Sequence, residues 1–496
     1  MPEPTLALLR LSGELSTKAR ATRRQFVTRL LRNVRDALDE SGLPYEIERH
    51  YDRILVLAEE PGALEPLERI FGLQSLAPSE RLAVDSLAQV VDRGEQIFRD
   101  AVRGRRFAVR ARTVGSDALP GVRGRDVEVE LGARLLPDAG GVDLENPEVT
   151  ARIELFQGHA YFFRENRAGP GGLPLGSGDR AVALVSGGFD SPVAAWQLLR
   201  RGVNLDYVFC NLGGFSHQLG TLRVMQVLAN RWSYGTRPRL HAIDFSAVSR
   251  ELQRASEPRY WQVILKRLML RAAEAVAEGS HGQAIITGEA VGQVSSQTLV
   301  NLRTISEATS LPILRPLIGS NKEEIIRQAE QIGTAPLSAV VDEYCAMVPR
   351  KPATAARLAV VAEQEADMDP EILARALANR EVLDLRSLDP DACGIPEIET
   401  DDIPNGSRVL DLRTRREYEQ WHYPGALHLD FGHARDAYAS FAKDQPYVLY
   451  CEYGLKSAHL AELMRGVGQR AFHFRGGTRA LKRWAEEKGV SRQADP

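Results

Sequence analysis

The sequence predicts a multidomain α/β protein, and three observations carry that expectation. At 496 residues the chain is too long for a single hydrophobic core. Between about 180 and 340, short β-branched runs alternate with helical patterns, so that AVALV, LDYVFCNL, RLHAIDF, QAIITGE and LPILRPLIG read as strands of a doubly wound parallel sheet. A smaller strand–helix alternation begins near Ile398, with RVLDLRT, ALHLDF, YVLYCEYG and AFHFRGG as its strands.

The first 60 residues read as a strand (LALLRLSG), a long helix and a second extended run (YEIERHYDRILVLAE). The helical segment STKARATRRQFVTRLLRNVR carries seven Lys or Arg and no acid. Residues 61–78 read as a helix and a turn ending in FGLQSLAP. To about 165, FAVRARTV, DVEVELGARLL and VTARIELFQGHAYFF alternate like strands of a second α+β unit. Eight arginines stand against two aspartates from Arg99 to Arg125, and Arg103, Arg105, Arg106, Arg110 and Arg112 crowd one strand and the turn before it, so that both faces would be charged. Such a run is a solvated face or a polyanion contact, and two unopposed basic clusters in a chain of net charge −3 favour the second. NRAGPGGLPLGSGD (166–179) reads as a linker, and 353–380 as a polar helical tract.

Composition, with 44% hydrophobic and 26% charged residues, is that of a soluble globular protein. No run reaches the ~18 apolar residues of a membrane span, and the N-terminus has no basic region before an apolar core, so a cytoplasmic location is expected. Four scattered cysteines (Cys210, Cys345, Cys393, Cys451) make no CxxC, which argues against a disulfide framework, a zinc ribbon or a cysteine-held cluster. A working cysteine here is expected to be redox-active or nucleophilic.

The stretch AVALVSGGFDSPVAAWQ passes from a buried strand through Ser186, Gly187 and Gly188 straight into a helix. Unshielded N–H groups at a helix N-terminus are a seat for phosphate. The loop lacks the lysine and spacing of a Walker A motif. It resembles the SGGxDS loop of the PP-loop ATP pyrophosphatases at Ser186, Gly187, Gly188, Asp190 and Ser191. That resemblance implies ATP, cleaved between its α and β phosphates, with Mg2+ accompanying the substrate and Asp190 as a ligand or orienter of the ion; the alternative is an ordinary glycine turn.

Further along, WQVILKRLMLR (261–271), GEAVGQVSSQTLVNL (288–302), the N-terminal Gly13, Glu14, Leu15 and Lys18, the element Phe71 to Pro78, and DEYCAMVPRKPAT (342–354) resemble the tRNA 4-thiouridine sulfurtransferase family across essentially the whole chain. By that resemblance, Leu184, Val185, Phe209, Cys210, Lys266, Gly288 and Gln297 line the nucleotide pocket. Residues 1–60 would be a ferredoxin-like domain, 61–165 a THUMP domain, 175–390 the adenylating PP-loop domain and 398–496 a rhodanese domain. The first two would grip the acceptor arm of tRNA, which would be read by shape and phosphate.

Cys451 follows a buried strand in C-x-x-G-x-K-S and precedes a helix, so loop N–H groups and the helix N-terminus favour its thiolate. With RVLDLRTRREYEQWHYPGALHLDF before it and HFRGGTRALKRWAEEKG after it, the segment resembles a rhodanese, which implies a persulfide on Cys451. Lys456 stands where rhodaneses often have arginine, keeping charge but losing the planar fork. The resemblance also implies a Cys345–Cys451 disulfide during turnover; Cys210 is at most a pocket wall, and Cys393 an ordinary linker residue. It further implies a cysteine desulfurase as sulfur donor and sulfur transfer to the small carrier protein of thiamine thiazole synthesis. A homodimer is left open. An RNA-binding sulfur carrier with a regulatory ATP site is the competing reading; an amide-forming PP-loop synthetase is disfavoured by the rhodanese end.

Overall fold

The structure, a computed structural model, describes residues 5–50, 52–115, 118–341, 351–388 and 398–490. It divides into two compact units, residues 1–177 with 200–202, and residues 178–199 with 203–496.

The first unit is built on one sheet. Its strands are β1 (Thr5–Leu11), β2 (Tyr45–Arg49), β3 (Arg53–Ala58), β4 (Leu73–Ala83), β5 (Arg106–Thr113), β6 (Gly141–Val142), β7 (Val149–Phe156), β8 (His159–Phe163) and β9 (Arg167–Ala168). They lie in the order β2-β3-β1-β4-β8-β7-β5-β6, with β9 on β4. Residues 73–79 of β4 pair with β1 and residues 80–83 with β8, so the two α+β regions share a strand. Helix Arg20–Asp39 buries Val27, Leu30, Leu31, Val34, Ala37 and Leu38, the i, i+3, i+4 stripe of an amphipathic helix. The buried Glu154 of β7 accepts from Arg10 Nε (2.8 Å) and Arg53 Nε (2.9 Å), which satisfies a carboxylate that would otherwise be costly to bury.

Two expectations for this unit are corrected and two are refined. DVEVELGARLL is not a strand but helix Gly124–Leu135, because Val127, Leu131 and Leu135 at helical spacing reach the core and Asp126 Oδ2 accepts from the Arg123 N–H (2.8 Å) at the helix start. In FGLQSLAP the expected turn is confined to Phe71 and Gly72, and Leu73–Pro78 form the first half of β4. The 166–179 segment contains the boundary between the two units, as expected of a linker, but is anchored: Leu175 is buried, and its carbonyl accepts from Arg29 Nε (2.8 Å) and Asn33 Nδ2 (3.1 Å). Only one face of β5 is charged, since Phe107 and Val109 enter the core while Arg106, Arg110 and Arg112 alternate on the other side.

The second unit begins with β10 (Arg180–Leu184), β11 (Asn204–Asn211), β12 (Arg239–Asp244), β13 (Ile285–Ile286) and β14 (Ile313–Leu314). These are parallel, in the order β14-β13-β10-β11-β12. An edge strand that sequence reading missed, β15 (Glu381–Asp384), runs antiparallel to β12 after the helices Leu358–Ala366 and Ile372–Ala378. Helix Trp261–Ser280 packs Val263, Ile264, Leu268, Ala272 and Val276 into one core with Val182, Val208 and Ile243 of the central strands. Chain order runs outward from β10 in both directions, so the sheet reverses between β10 and β13. The carboxyl ends of strands at such a reversal are where open α/β sheets bind ligands.

The remaining strands, β16 (Glu399–Thr400), β17 (Arg408–Asp411), β18 (Leu427–His428), β19 (Tyr447–Tyr450) and β20 (Ala471–Phe474), form an all-parallel sheet in the order β16-β20-β19-β17-β18. Both faces are covered: Leu410, Tyr447 and Leu449 enter one core, Val409, Val448 and Tyr450 the other. Among the described residues no helix is long and apolar enough to cross a membrane.

Candidate functional site

The phosphate loop leaves β10 at Val185 and enters helix Asp190–Leu199. Ser191 orders it from within: its Oγ accepts from Ser186 N–H (2.9 Å) and donates to the Ser186 carbonyl (3.1 Å). The two glycines differ. A Cβ on Gly188 would meet nothing closer than Ser186 Oγ at 3.6 Å, which leaves its backbone open to a ligand, whereas a Cβ on Gly187 would overlap Val341 Cγ1.

Asp190 is held on both carboxylate oxygens. Lys322 Nζ, at the start of helix Lys322–Ile332, lies 2.9 Å from Oδ1, and Gln293 Nε2 donates to Oδ2 at 3.0 Å. Lys322 Nζ also sits 5.4 Å over the Phe189 ring. Sequence reading missed Lys322, which is 132 positions from its partner. The only local hint is its place beside the capping residue Asn321 in SNKEE.

Leu184 pairs in register with Val208, and Val185 N–H donates to the Val208 carbonyl at 2.9 Å, which brings Leu184 and Val185 beside Phe209 and Cys210 on the neighbouring strand end. Phe209 meets the His217 ring edge-on at 4.7 Å. Burial pushes the Cys210 thiol up, so it stays protonated, which argues against a nucleophilic role. On the other side of β10, Gly288 follows β13; a Cβ there would come within 2.8 Å of the Asp190 carbonyl carbon and Ser191 N. Next to it the buried Glu289 accepts from Lys266 Nζ (2.8 Å) and Arg315 Nε (2.8 Å). Burial alone would raise the Glu289 pKa, but the two cations more than reverse this and hold it below the usual carboxylate range. The group as a whole, one anion between two cations, leaves a net positive charge beside the loop. Glu289 and Arg315 are further residues that sequence reading did not single out. Gln297 is 8% exposed, and its buried side-chain carbonyl Oε1 has no hydrogen-bond partner among the described residues. A buried acceptor in that state is matched by a ligand that donates.

Cys451 follows β19 directly, before helix Leu455–Gly466. Its Sγ is 3.5 Å from Ser457 Oγ, and its carbonyl accepts from Thr478 N–H (3.0 Å) and Thr478 Oγ1 (3.2 Å). Gly477, at φ +65°, passes so close that a Cβ would lie 2.6 Å from the Cys451 and Glu452 carbonyl oxygens, so glycine is required to close the loop. The first N–H groups of the following helix have no intrahelical partner, and Ser457, whose Oγ lies beside the sulfur, is in its first turn. Lys456 points over Phe431, with Nζ 5.7 Å from the ring centre. Cys345 and Cys393 lie outside the described residues; Val341, the last described residue before Cys345, is the one packed on Gly187.

In the first unit, the five arginines are not equivalent. Arg103 pairs with Asp100 (2.8 Å), Arg106 with Asp143 (3.1 Å) and Glu148 (3.7 Å), and Arg110 donates to the Leu144 carbonyl. Arg105 and Arg112 are exposed and have no carboxylate partner among the described residues.

Three family models match the chain: a ferredoxin-like domain of ThiI over residues 6–77, the thiamine biosynthesis protein ThiI over 176–369, and a rhodanese-like domain over 397–483. Curated relatives are tRNA sulfurtransferases, including that of Pyrobaculum aerophilum, 37% identical across 93% of this chain and 95% of that protein. Another, from Marinobacter nauticus, is 34% identical across 93% of this chain and 97% of its own length. Among solved structures, a 4-thiouridine synthetase in complex with RNA and bound ATP superposes with a TM-score of 0.67 at 29% identity, covering 77% of this chain and 99% of that one.

Proposed function

Since the chain belongs to the ThiI family of tRNA sulfurtransferases, we propose that it replaces the C4 oxygen of uridine eight in tRNA by sulfur, at the expense of ATP, to give 4-thiouridine. One observation carries the reading: Asp190, held between Lys322 and Gln293 beside the ordered SGGxDS loop, sits where the sheet reverses, in the same chain as Cys451. The solved 4-thiouridine synthetase with RNA and ATP supports the same substrates.

In this reading the loop N–H groups of Gly187 and Gly188 and the helix N-terminus hold the β and γ phosphates. Lys322 and the Lys266–Glu289–Arg315 group supply positive charge around them. Mg2+ would arrive with the triphosphate, and Asp190 is the carboxylate that would reach it; bound there, the ion offsets charge on the departing pyrophosphate. Gln297 Oε1 accepts from the adenine amino group. Uridine O4 attacks the α-phosphorus, a new O–P bond forms, and pyrophosphate leaves with the electrons of the broken one. The terminal sulfur of a Cys451 persulfide then bonds to C4 as the C–O bond breaks and AMP departs. The Cys345 thiolate attacks Cys451 Sγ, the S–S bond breaks toward the base sulfur, and thiolated tRNA leaves a Cys345–Cys451 disulfide for a dithiol reductant. A cysteine desulfurase reloads Cys451, in the cytoplasm, and the same persulfide serves the small sulfur carrier protein of thiazole synthesis.

The test combines purified protein, ATP, Mg2+, tRNA, a cysteine desulfurase and cysteine. Release of AMP and pyrophosphate should require tRNA, and nucleoside mass spectrometry should find 4-thiouridine. Cys451→Ala should keep pyrophosphate release and lose thiolation. Cys345→Ala should accept sulfur on Cys451 yet fail to turn over repeatedly, and the wild type alone should show the Cys345–Cys451 peptide after one turnover. Thiolation without nucleotide cleavage would sink the reading in favour of a sulfur carrier.

A further inference from the structure

We propose that helix Gly214–Trp232 of the adenylating region is the dock that orients the Cys451 loop for sulfur delivery, with Glu462 and Arg223 as its positioning residues; this rests on the reading that Cys451 carries the sulfur. The helix lacks an N-terminal side-chain cap of its own, its N-cap being Gly213. The cap comes from the other sheet's domain: Glu462 accepts from Phe215 N–H (3.2 Å) and Ser216 N–H (3.3 Å), one oxygen to each. A carboxylate at that end also meets the positive pole of the helix. Beside it, Ser216 Oγ lies 3.3 Å from His459 Nδ1. Two turns further on, Arg223 donates to the carbonyl of Tyr453, two residues past Cys451.

These contacts converge on the chemistry from both sides. Glu462 and His459 belong to the helix that follows the Cys451 loop and sets Ser457 Oγ 3.5 Å from the sulfur, so whatever holds them orients that loop with the helix. The dock helix follows β11, whose end carries Phe209 and Cys210, and its Gly220 packs on Val341, the same side chain that rests against Gly187 of the phosphate loop. A tether alone would raise the local concentration of the persulfide without aiming it. Delivery needs the sulfur in line with the C–O bond that breaks, and an oriented dock supplies that geometry.

The full-length protein is the material for the test, as wild type, Glu462→Ala, Arg223→Ala and Arg223→Lys, with melting curves to confirm folding. Three steps are read separately: tRNA-dependent pyrophosphate release, sulfur loading of Cys451 by a desulfurase, and single-turnover formation of 4-thiouridine from the loaded protein. Both alanine variants should keep the first two steps within about twofold and slow the third about tenfold or more. Arg223→Lys, which keeps a donor for the Tyr453 carbonyl, should recover most of the loss. Delivery at the wild-type rate in both alanine variants overturns the proposal. So does a parallel fall in pyrophosphate release, which would mean that the contact only stabilises the adenylating domain. A wild type that releases pyrophosphate but makes no 4-thiouridine overturns the sulfur-transfer reading itself, and the dock with it.

Discussion

Gly288→Ala isolates the geometry of the phosphate loop from its chemistry, because it adds one methyl group and changes no charge. The new Cβ would stand 2.8 Å from both the Asp190 carbonyl carbon and Ser191 N, and 3.1 Å from Asp190 Cβ. The first two are backbone atoms at the start of a helix, unable to rotate away as a side-chain end would. Ordinary contact requires the strand end and the helix start to part by roughly half an ångström, an overpacking that costs on the order of 1–3 kcal/mol. The displaced residue is Asp190, so its contacts with Lys322 (2.9 Å) and Gln293 (3.0 Å) are stretched together. Since a misplacement of about 1 Å can cost on the order of a hundredfold in rate, a fall of roughly tenfold in kcat for tRNA-dependent pyrophosphate release is expected. The KM for tRNA should stay near that of the wild type. Gly279→Ala is the control: nothing lies within 4 Å of its Cβ position in helix Trp261–Ser280, so it should be neutral or slightly stabilising. A Gly288→Ala enzyme that releases pyrophosphate at the wild-type rate would refute the placement of Asp190 at the reacting phosphates.

Asp190→Ala should abolish pyrophosphate release with tRNA affinity unchanged, and Lys322→Ala should lower it strongly; activity retained in both would remove the pair from the site. Arg105→Ala with Arg112→Ala should lower the dependence of log K for tRNA on log salt by about two, more than Arg103→Ala with Arg106→Ala, because the latter arginines are already neutralised by carboxylates. Equal slopes for the two double variants would reduce the arginines to a solvated face. Burial, then the nearby His459, push the His217 pKa down to about 4. Its neutral imidazole belongs to the folded state, so the unfolded chain binds more protons below about 6.5 and stability declines as pH falls toward 4, by about 2 kcal/mol at pH 5. His217→Gln should therefore lose less stability than the wild type between pH 7 and 5 in thermal unfolding; parallel losses would exclude His217 as the titrating group.

Much of the site was legible because it is local. The strand AVALV, the SGG.DS turn and the helix behind it are consecutive in the chain, as are β19, Cys451 and the helix that follows it. What escaped depends on partners far apart in sequence. Lys322 on Asp190, Arg315 on Glu289 and Glu462 on Phe215 leave no periodic trace, since each is a single polar residue on an otherwise ordinary element. The segment DVEVELGARLL misled in the opposite way: Val127, Val129 and Leu131 alternate as in a strand, yet the helix buries Val127, Leu131 and Leu135 and leaves Val129 61% exposed. Charge counting likewise found the arginines but could not see that Asp143 and Glu148, beyond the counted window, neutralise one of them.

The strand common to both halves of the N-terminal sheet has a mechanical consequence. β4 runs unbroken for 11 residues, about 37 Å at the rise of an extended chain, with β1 along its first part and β8 along its last. No hinge can open between the halves without tearing ladder bonds from a single backbone, and the Arg10–Glu154–Arg53 cluster rivets β1, β3 and β7 across the same seam. The unit therefore behaves as a calliper set at one span. Any surface laid across both parts would meet a fixed span, and a one-residue insertion in β4 would reset the gauge and turn every side chain beyond it to the opposite face.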